Sequence, residues 1–171
     1  GGGGGTSIKT IDVTSITSET VTVGAGGAGA TVANNFADSG GDSSYGSHCS
    51  ATGGLGGAGN YPDAGSAYGL SRSGGLGSGG DLNIAGGTGF MPLNTGEIST
   101  TFYYVGTIGG SSYLNNTKSF PDLPSSWVGP ISSYDGAYGS GGCGGLTNNS
   151  TFNGSGGDGG DGIVIVEEFY V

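Results

Sequence analysis

The sequence predicts an all-β domain in which β-sandwich-like strands frame a bundle of glycine-rich, polyproline-II-like segments, with essentially no helix. Three observations predict it. Forty-four of the 171 residues are glycine, grouped in runs at 1–5, 24–30, 53–59 and 154–162 between apolar or aromatic stretches. β-Branched residues alternate with polar ones near the N-terminus, and a β-branched apolar run closes the chain. No stretch carries the 3.6-residue apolar period of an amphipathic helix.

Glycine loses more backbone entropy on ordering than any other residue and offers no side chain to bury. Such a chain orders only if its backbones pack against one another as glycine alone permits. Disorder fits poorly with a chain that is 33% apolar and 9% aromatic. Collagen fails because glycine does not recur at every third position and there are only five prolines. Extended segments with three residues per turn make no internal hydrogen bonds, so their amides must pair with neighbouring segments or with water.

In chain order, residues 6–23 (TSIKTIDVTSITSETVTV) lack glycine and read as two short strands joined near Thr17–Glu19. Glycine dominates from 24 to 89, with SSYGSHCSATGG at 43–54 expected as one extended segment between glycine runs. From 90 to 138 glycine thins and aromatics rise, and 111–128 forms an 18-residue glycine-free insertion containing a PDLP turn. Insertions of that length are usually functional or disordered. The closing GIVIVEEFYV is expected as a strand with both faces covered. The whole, 1–171, reads as one glycine-rich domain with 90–138 as an aromatic-rich loop region within it.

Charge narrows the partners. Lys9, Arg72 and Lys118 face thirteen acidic residues, for a net charge of −10. Nucleic-acid binding needs a basic stripe that displaces counterions, and an anionic membrane surface asks for the same. No apolar run approaches the ~20 residues that span a bilayer as a helix, so neither nucleic acid nor membrane insertion is expected. Cys49 and Cys143 lie more than ninety residues apart. They fit either a disulfide worth about 4–5 kcal/mol in the chain-entropy model or two buried thiols.

The chemical motifs are weak. G24-A-G26-G-A-G29 matches a dinucleotide fingerprint, but the following ATVANNFADSG does not read as the helix whose N-terminus a pyrophosphate requires. GGDGGDGIV at 156–164 matches a calcium-binding nonapeptide with Asp161 as ligand. A single copy cannot complete that site, and Asp158 and Asp161 are expected to cap a turn. The lone His48 has no nucleophile elbow to serve, and Glu167 and Glu168 point to opposite strand faces. A glycan-cleaving activity would need two carboxylates brought together in a groove, and Asp122 with Asp135 is the candidate pair in the aromatic region. The expectation is a protein without catalytic residues, bound metal or cofactor.

The aromatic region offers contact surfaces instead. Tyr, Trp, Asn, Ser and Gly compose adaptable binding loops, and flat rings also stack on sugars. Phe102, Tyr104 and Phe120 are expected in a hydrophobic core. Tyr113, Trp127 and Tyr134, flanked by Ser and Pro, fit surface recognition as well as burial and are the candidate contact residues.

The strings TVTVGAGGAGA, SSYGSHCSATGG, GGDLNIAGG and GGDGGDGIVIVEEFYV resemble, in order and content, the glycine-rich C-terminal domain of bacteriophage tail-fibre and receptor-binding (adhesin) proteins. The resemblance covers 1–89 and 139–171. It implies a polyglycine-II bundle at the distal end of a virion tail fibre, outside the cell, as the C-terminal part of a longer chain. It further implies host attachment through a bacterial surface polysaccharide or protein, with a homotrimer and upstream fibre segments as partners. The alternative expectation is a purely structural fibre, matrix or virion-decoration element.

Overall fold

The computed structural model describes residues 1–31, 36–57, 71–90, 108–116, 134–144, 147–148, 152–153 and 155–169. Among them there is no helix, and every strand pairing is antiparallel. The strands are short: β1 (Thr6–Ile8), β2 (Val21–Thr22), β3 (Ser43–Tyr45), β4 (Cys49–Ala51), β5 (Gly77–Ser78), β6 (Leu82–Ile84), β7 (Thr147–Asn148) and β8 (Phe152–Asn153). One sheet has the order β2-β3-β4-β5, β1 pairs with β6, and β7 pairs with β8. β1 lies against β4 and β5, so the first two sheets adjoin. The all-β expectation therefore holds.

Most of the glycine lies outside these ladders and bonds on a different repeat. Gly156, Gly159 and Gly162 each donate an amide to Ala30, Gly27 and Gly24 at 2.8 Å. Gly40 and Ala37 donate to Gly54 and Gly57, and Gly41 and Asp38 to Ala25 and Ala28. Thr52 and Leu55 donate to Leu76 and Ser73 in the same way. Partners step by three residues in opposite directions, the period of a polyproline II helix and not the period of two of a strand.

Residues 1–5 occupy the middle of this lattice. Gly2 and Gly5 donate to Leu55 and Thr52, Gly3 to Gly87, and Gly4 to Gly139, while Gly75 and Gly110 donate to the carbonyls of Gly3 and Gly1. Gly2 and Gly3 are buried. A Cβ on Gly3 would fall on the backbone carbonyl of Ser111, so the approach exists because the side chain does not. The core is accordingly made of backbone: among the described residues the buried side chains are Cys143 and Ser140, at 3% and 2% exposure, and no large side chain is fully buried. Each such hydrogen bond contributes only about 0.5–1.5 kcal/mol net, so stability comes from their density.

Four details depart from the sequence reading. Residues 43–54 do not run through as one segment. They fold into the β3–β4 hairpin, whose turn carries Gly46 at φ 50° and closes with His48 N–H on the Tyr45 carbonyl at 3.0 Å. β1 and β2 do not pair with each other, and the turn between them falls at Val13–Ile16 rather than near Thr17–Glu19. Its position follows from Asp12, whose Oδ1 accepts the amide and hydroxyl of Thr14 at 2.9 and 2.7 Å. Such an Asx turn redirects the chain two residues after the aspartate. Residues 163–169 join no ladder with another described residue, and Ile163, Ile165, Val166 and Phe169 are exposed. A strand covered on both faces is therefore not what this segment forms. Phe102, Tyr104 and Phe120, expected in the core, lie outside the described residues.

Candidate functional site

The lattice leaves an open groove of about 770 Å³ whose walls include Ile8, Val13, Tyr45, Tyr113, Tyr138 and Ile165. Two turns carry Tyr113 and Tyr138, while Tyr45 ends β3. In the first, Ser112 N–H donates to the Asn115 carbonyl at 3.0 Å, which throws Tyr113 and Leu114 outward at 60% and 50% exposure. In the second, Ser140 N–H donates to the Ala137 carbonyl at 3.0 Å across Tyr138 and Gly139. Their φ values of 47° and 77° make it a type I′ turn.

The two turns are braced against each other. Asn115 Nδ2 donates to the Ala137 carbonyl at 2.9 Å and to Ser140 Oγ at 3.1 Å. Ser112 Oγ donates to the Tyr138 carbonyl at 2.6 Å, and Ala137 N–H to Ser140 Oγ at 2.9 Å. The second turn is also anchored in the lattice, because Gly139 donates to Asp161 and accepts from Gly4. Both tyrosines thus project from backbone fixed on several sides. Tyr138 is the one described non-glycine residue at positive φ, a conformation costing an ordinary L-residue about 1–2 kcal/mol.

Of the three residues expected to bind a receptor, Tyr113 lines the groove, Tyr134 does not, and Trp127 lies outside the described residues. Tyr134 is 40% exposed, and its carbonyl accepts the Cys143 amide at 3.0 Å. Tyr138 was not singled out by sequence. Its signal was the Ala-Tyr-Gly-Ser string, a turn with an aromatic residue where Asn, Asp or Gly is usual.

The remaining motifs resolve into structure. Asp161 Oδ1 and Asp158 Oδ1 accept the amides of Gly26 and Gly29 at 2.8 and 2.7 Å. The amides a dinucleotide pyrophosphate would require are the ones these carboxylates hold. Asp158 N–H in turn donates to Asp135 Oδ1 at 2.9 Å, and Asp122 lies outside the described residues. His48 Nε2 sits 3.1 Å from Glu19 Oε2, and its carbonyl accepts Lys9 Nζ at 3.0 Å. These contacts clamp the β3–β4 turn to residues 9 and 19. Cys49 and Cys143 are not bonded to each other. Among the described residues no group of three or more His, Cys, Asp or Glu could hold a metal ion, and no helix is long and apolar enough to cross a membrane.

A family model described as a glycine-rich domain matches residues 1–168. No curated protein and no solved structure matches the chain.

Proposed function

The chain belongs to the glycine-rich domain family, and from that premise we propose that it is an adhesin, the receptor-binding tip of a bacteriophage tail fibre. In this reading it holds a bacterial surface polysaccharide or protein by non-covalent contact and does no chemistry. The observation that carries the proposal is the exposure of Tyr113 and Tyr138 on mutually braced turns. The core is glycine backbone, so these rings are not needed to build it. Large rigid aromatics at low entropic cost are what contact surfaces use. The fibre assignment rests on the order of TVTVGAGGAGA, SSYGSHCSATGG and GGDGGDGIVIVEEFYV along the chain. A homotrimer, in which linked weak sites gain avidity, and a virion location belong to the same proposal, as does a contribution from Trp127 and Tyr134.

A purely structural role is the second reading, and the exposed apolar residues of 163–169 favour it, since an assembly would cover them. Binding of the fluorescently labelled chain to a panel of intact bacteria separates the two. Saturable binding to a few strains, weakened by Tyr113→Ala or Trp127→Ala in variants that still fold, supports the adhesin. A folded chain that binds no strain supports the structural role.

A further inference from the structure

We infer that Tyr138, with Tyr113 on the adjoining turn, forms a stacking platform for an uncharged saccharide; the inference rests on the adhesin reading of the same groove. Position i+1 of a type I′ turn takes Gly, Asn or Asp because φ is positive there. Tyrosine occupies it at φ 47° with 59% of its surface exposed. Burial of the ring therefore does little to offset the strained backbone. Strained residues persist where the surroundings over-determine them, and they cluster at ligand sites. Here the surroundings are specific: the Ser112 hydroxyl and the Asn115 amide hold the carbonyls of Tyr138 and Ala137.

The chemistry of the surface selects the ligand. A tyrosine ring has a negative face and a hydroxyl at its rim. The polarised C–H face of a pyranose meets that π face, while sugar hydroxyls bond to the phenol and to water. Among the charged side chains lining the groove, Asp38, Glu167 and Glu168 outnumber Lys9, in a chain of net charge −10. That field repels phosphorylated, sialylated or uronate sugars, so the platform takes neutral hexoses or N-acetylhexosamines.

The test measures the full chain on immobilised chitotetraose, maltotetraose, galactotetraose and polysialic acid, alongside intact bacteria. Four proteins are compared: the parent, Tyr138→Gly, Tyr138→Asn and Tyr138→Phe. The expected result is binding to at least one neutral oligosaccharide and none to polysialic acid. Tyr138→Gly and Tyr138→Asn lose roughly tenfold or more in affinity, as removal of a stacking ring does elsewhere, while Tyr138→Phe keeps most of it. Both ring-deleting variants melt at the same temperature as the parent or higher, because Gly and Asn suit the turn. A lower melting temperature with unchanged affinity would make Tyr138 structural and overturn the inference. Cell binding that survives Tyr138→Gly, or is abolished by protease treatment of the cells, overturns it while leaving the adhesin reading intact. A parent chain that binds neither cells nor sugars overturns both.

Discussion

Asp161 accepts the amide of Gly26 on its carboxylate at 2.8 Å, and its backbone carbonyl accepts the amide of Gly139 at the same distance. One residue thus ties the 24–30 segment to the turn that carries Tyr138. Asp158 repeats the arrangement three residues earlier, taking Gly29 on its carboxylate and Gly136 on its carbonyl. The Gly-Gly-Asp repeat is therefore a two-sided staple: its glycines let backbones approach, and its aspartates accept amides from a second segment on their carboxylates.

Replacing Asp161 tests the staple. Asp161→Ala leaves the Gly26 amide to water and is expected to cost about 1 kcal/mol, less than a buried charged hydrogen bond because the site is exposed. Asp161→Asn keeps an oxygen acceptor and should lose less than half of that. Urea denaturation of the three proteins, with m-values compared, checks both numbers. A loss as large in Asn as in Ala would mean that the charge and not the hydrogen bond matters.

How much of this was legible in the sequence depends on what carries the signal. The absence of helix could be read, because it depends on a periodicity that the chain lacks. The glycine-backbone core could be argued from entropy alone. The partners of Gly156, Gly159 and Gly162 could not, since glycine runs have no side-chain pattern to fix register. Strands at 6–8 and 21–22 fell inside the expected stretch, yet their turn was displaced by Asp12, a local side-chain bond that competes with strand pairing. The hairpin at 43–51 was missed because Ser, Tyr, Gly and Cys carry no alternation, although Gly46 marked its turn. At the site, composition pointed to Tyr113, whereas Tyr138 is marked in the sequence only by the weak Ala-Tyr-Gly-Ser turn string and stands out by its backbone angle.

Asp12 makes a prediction about pH. The backbone amide of Thr14, then its hydroxyl, bonds the Asp12 carboxylate and lowers its pKa below the ordinary 3.8. A depressed pKa in the folded state means the turn contributes stability above the unfolded value and loses it as pH falls through the folded one. The Asp12 carboxyl, followed by carbon-13 NMR, should titrate with a midpoint below 3.8. In Thr14→Ala, which removes the hydroxyl bond alone, the midpoint should move part of the way back. An unmoved midpoint would assign the whole shift to the amide.

Asn115 should matter to stability and, through it, to the contact surface. Its side-chain amide bonds both the Ala137 carbonyl and the nearly buried Ser140 hydroxyl. Asn115→Ala removes both and is expected to cost about 1–2 kcal/mol. Asn115→Asp replaces the donating NH₂ with an acceptor and sets it against the Ala137 carbonyl, so it should be at least as damaging. Thermal unfolding ranks the variants. Amide exchange should accelerate at Ala137 and Ser140 before it does at Gly159, because the brace is local to the two turns.

The sharpest test of a backbone core lies within the first five residues. A Cβ on Gly3 would collide with the Ser111 and Gly110 backbone, which cannot move without breaking the bonds from Gly87 to Ser111 and from Gly110 to Gly1. Gly3→Ala is therefore expected to destabilise by about 3 kcal/mol, the upper end of overpacking costs. One residue on, a Cβ at Gly4 would meet the Gly139 carbonyl at 3.4 Å, an ordinary contact. Gly4→Ala should be neutral or stabilise by about 0.5 kcal/mol, since alanine lowers the entropy of the unfolded chain. Paired melting curves of the two variants decide it. Equal and small effects would mean that the segment is loosely held, whereas opposite effects at adjacent glycines require a close-packed lattice with one open side.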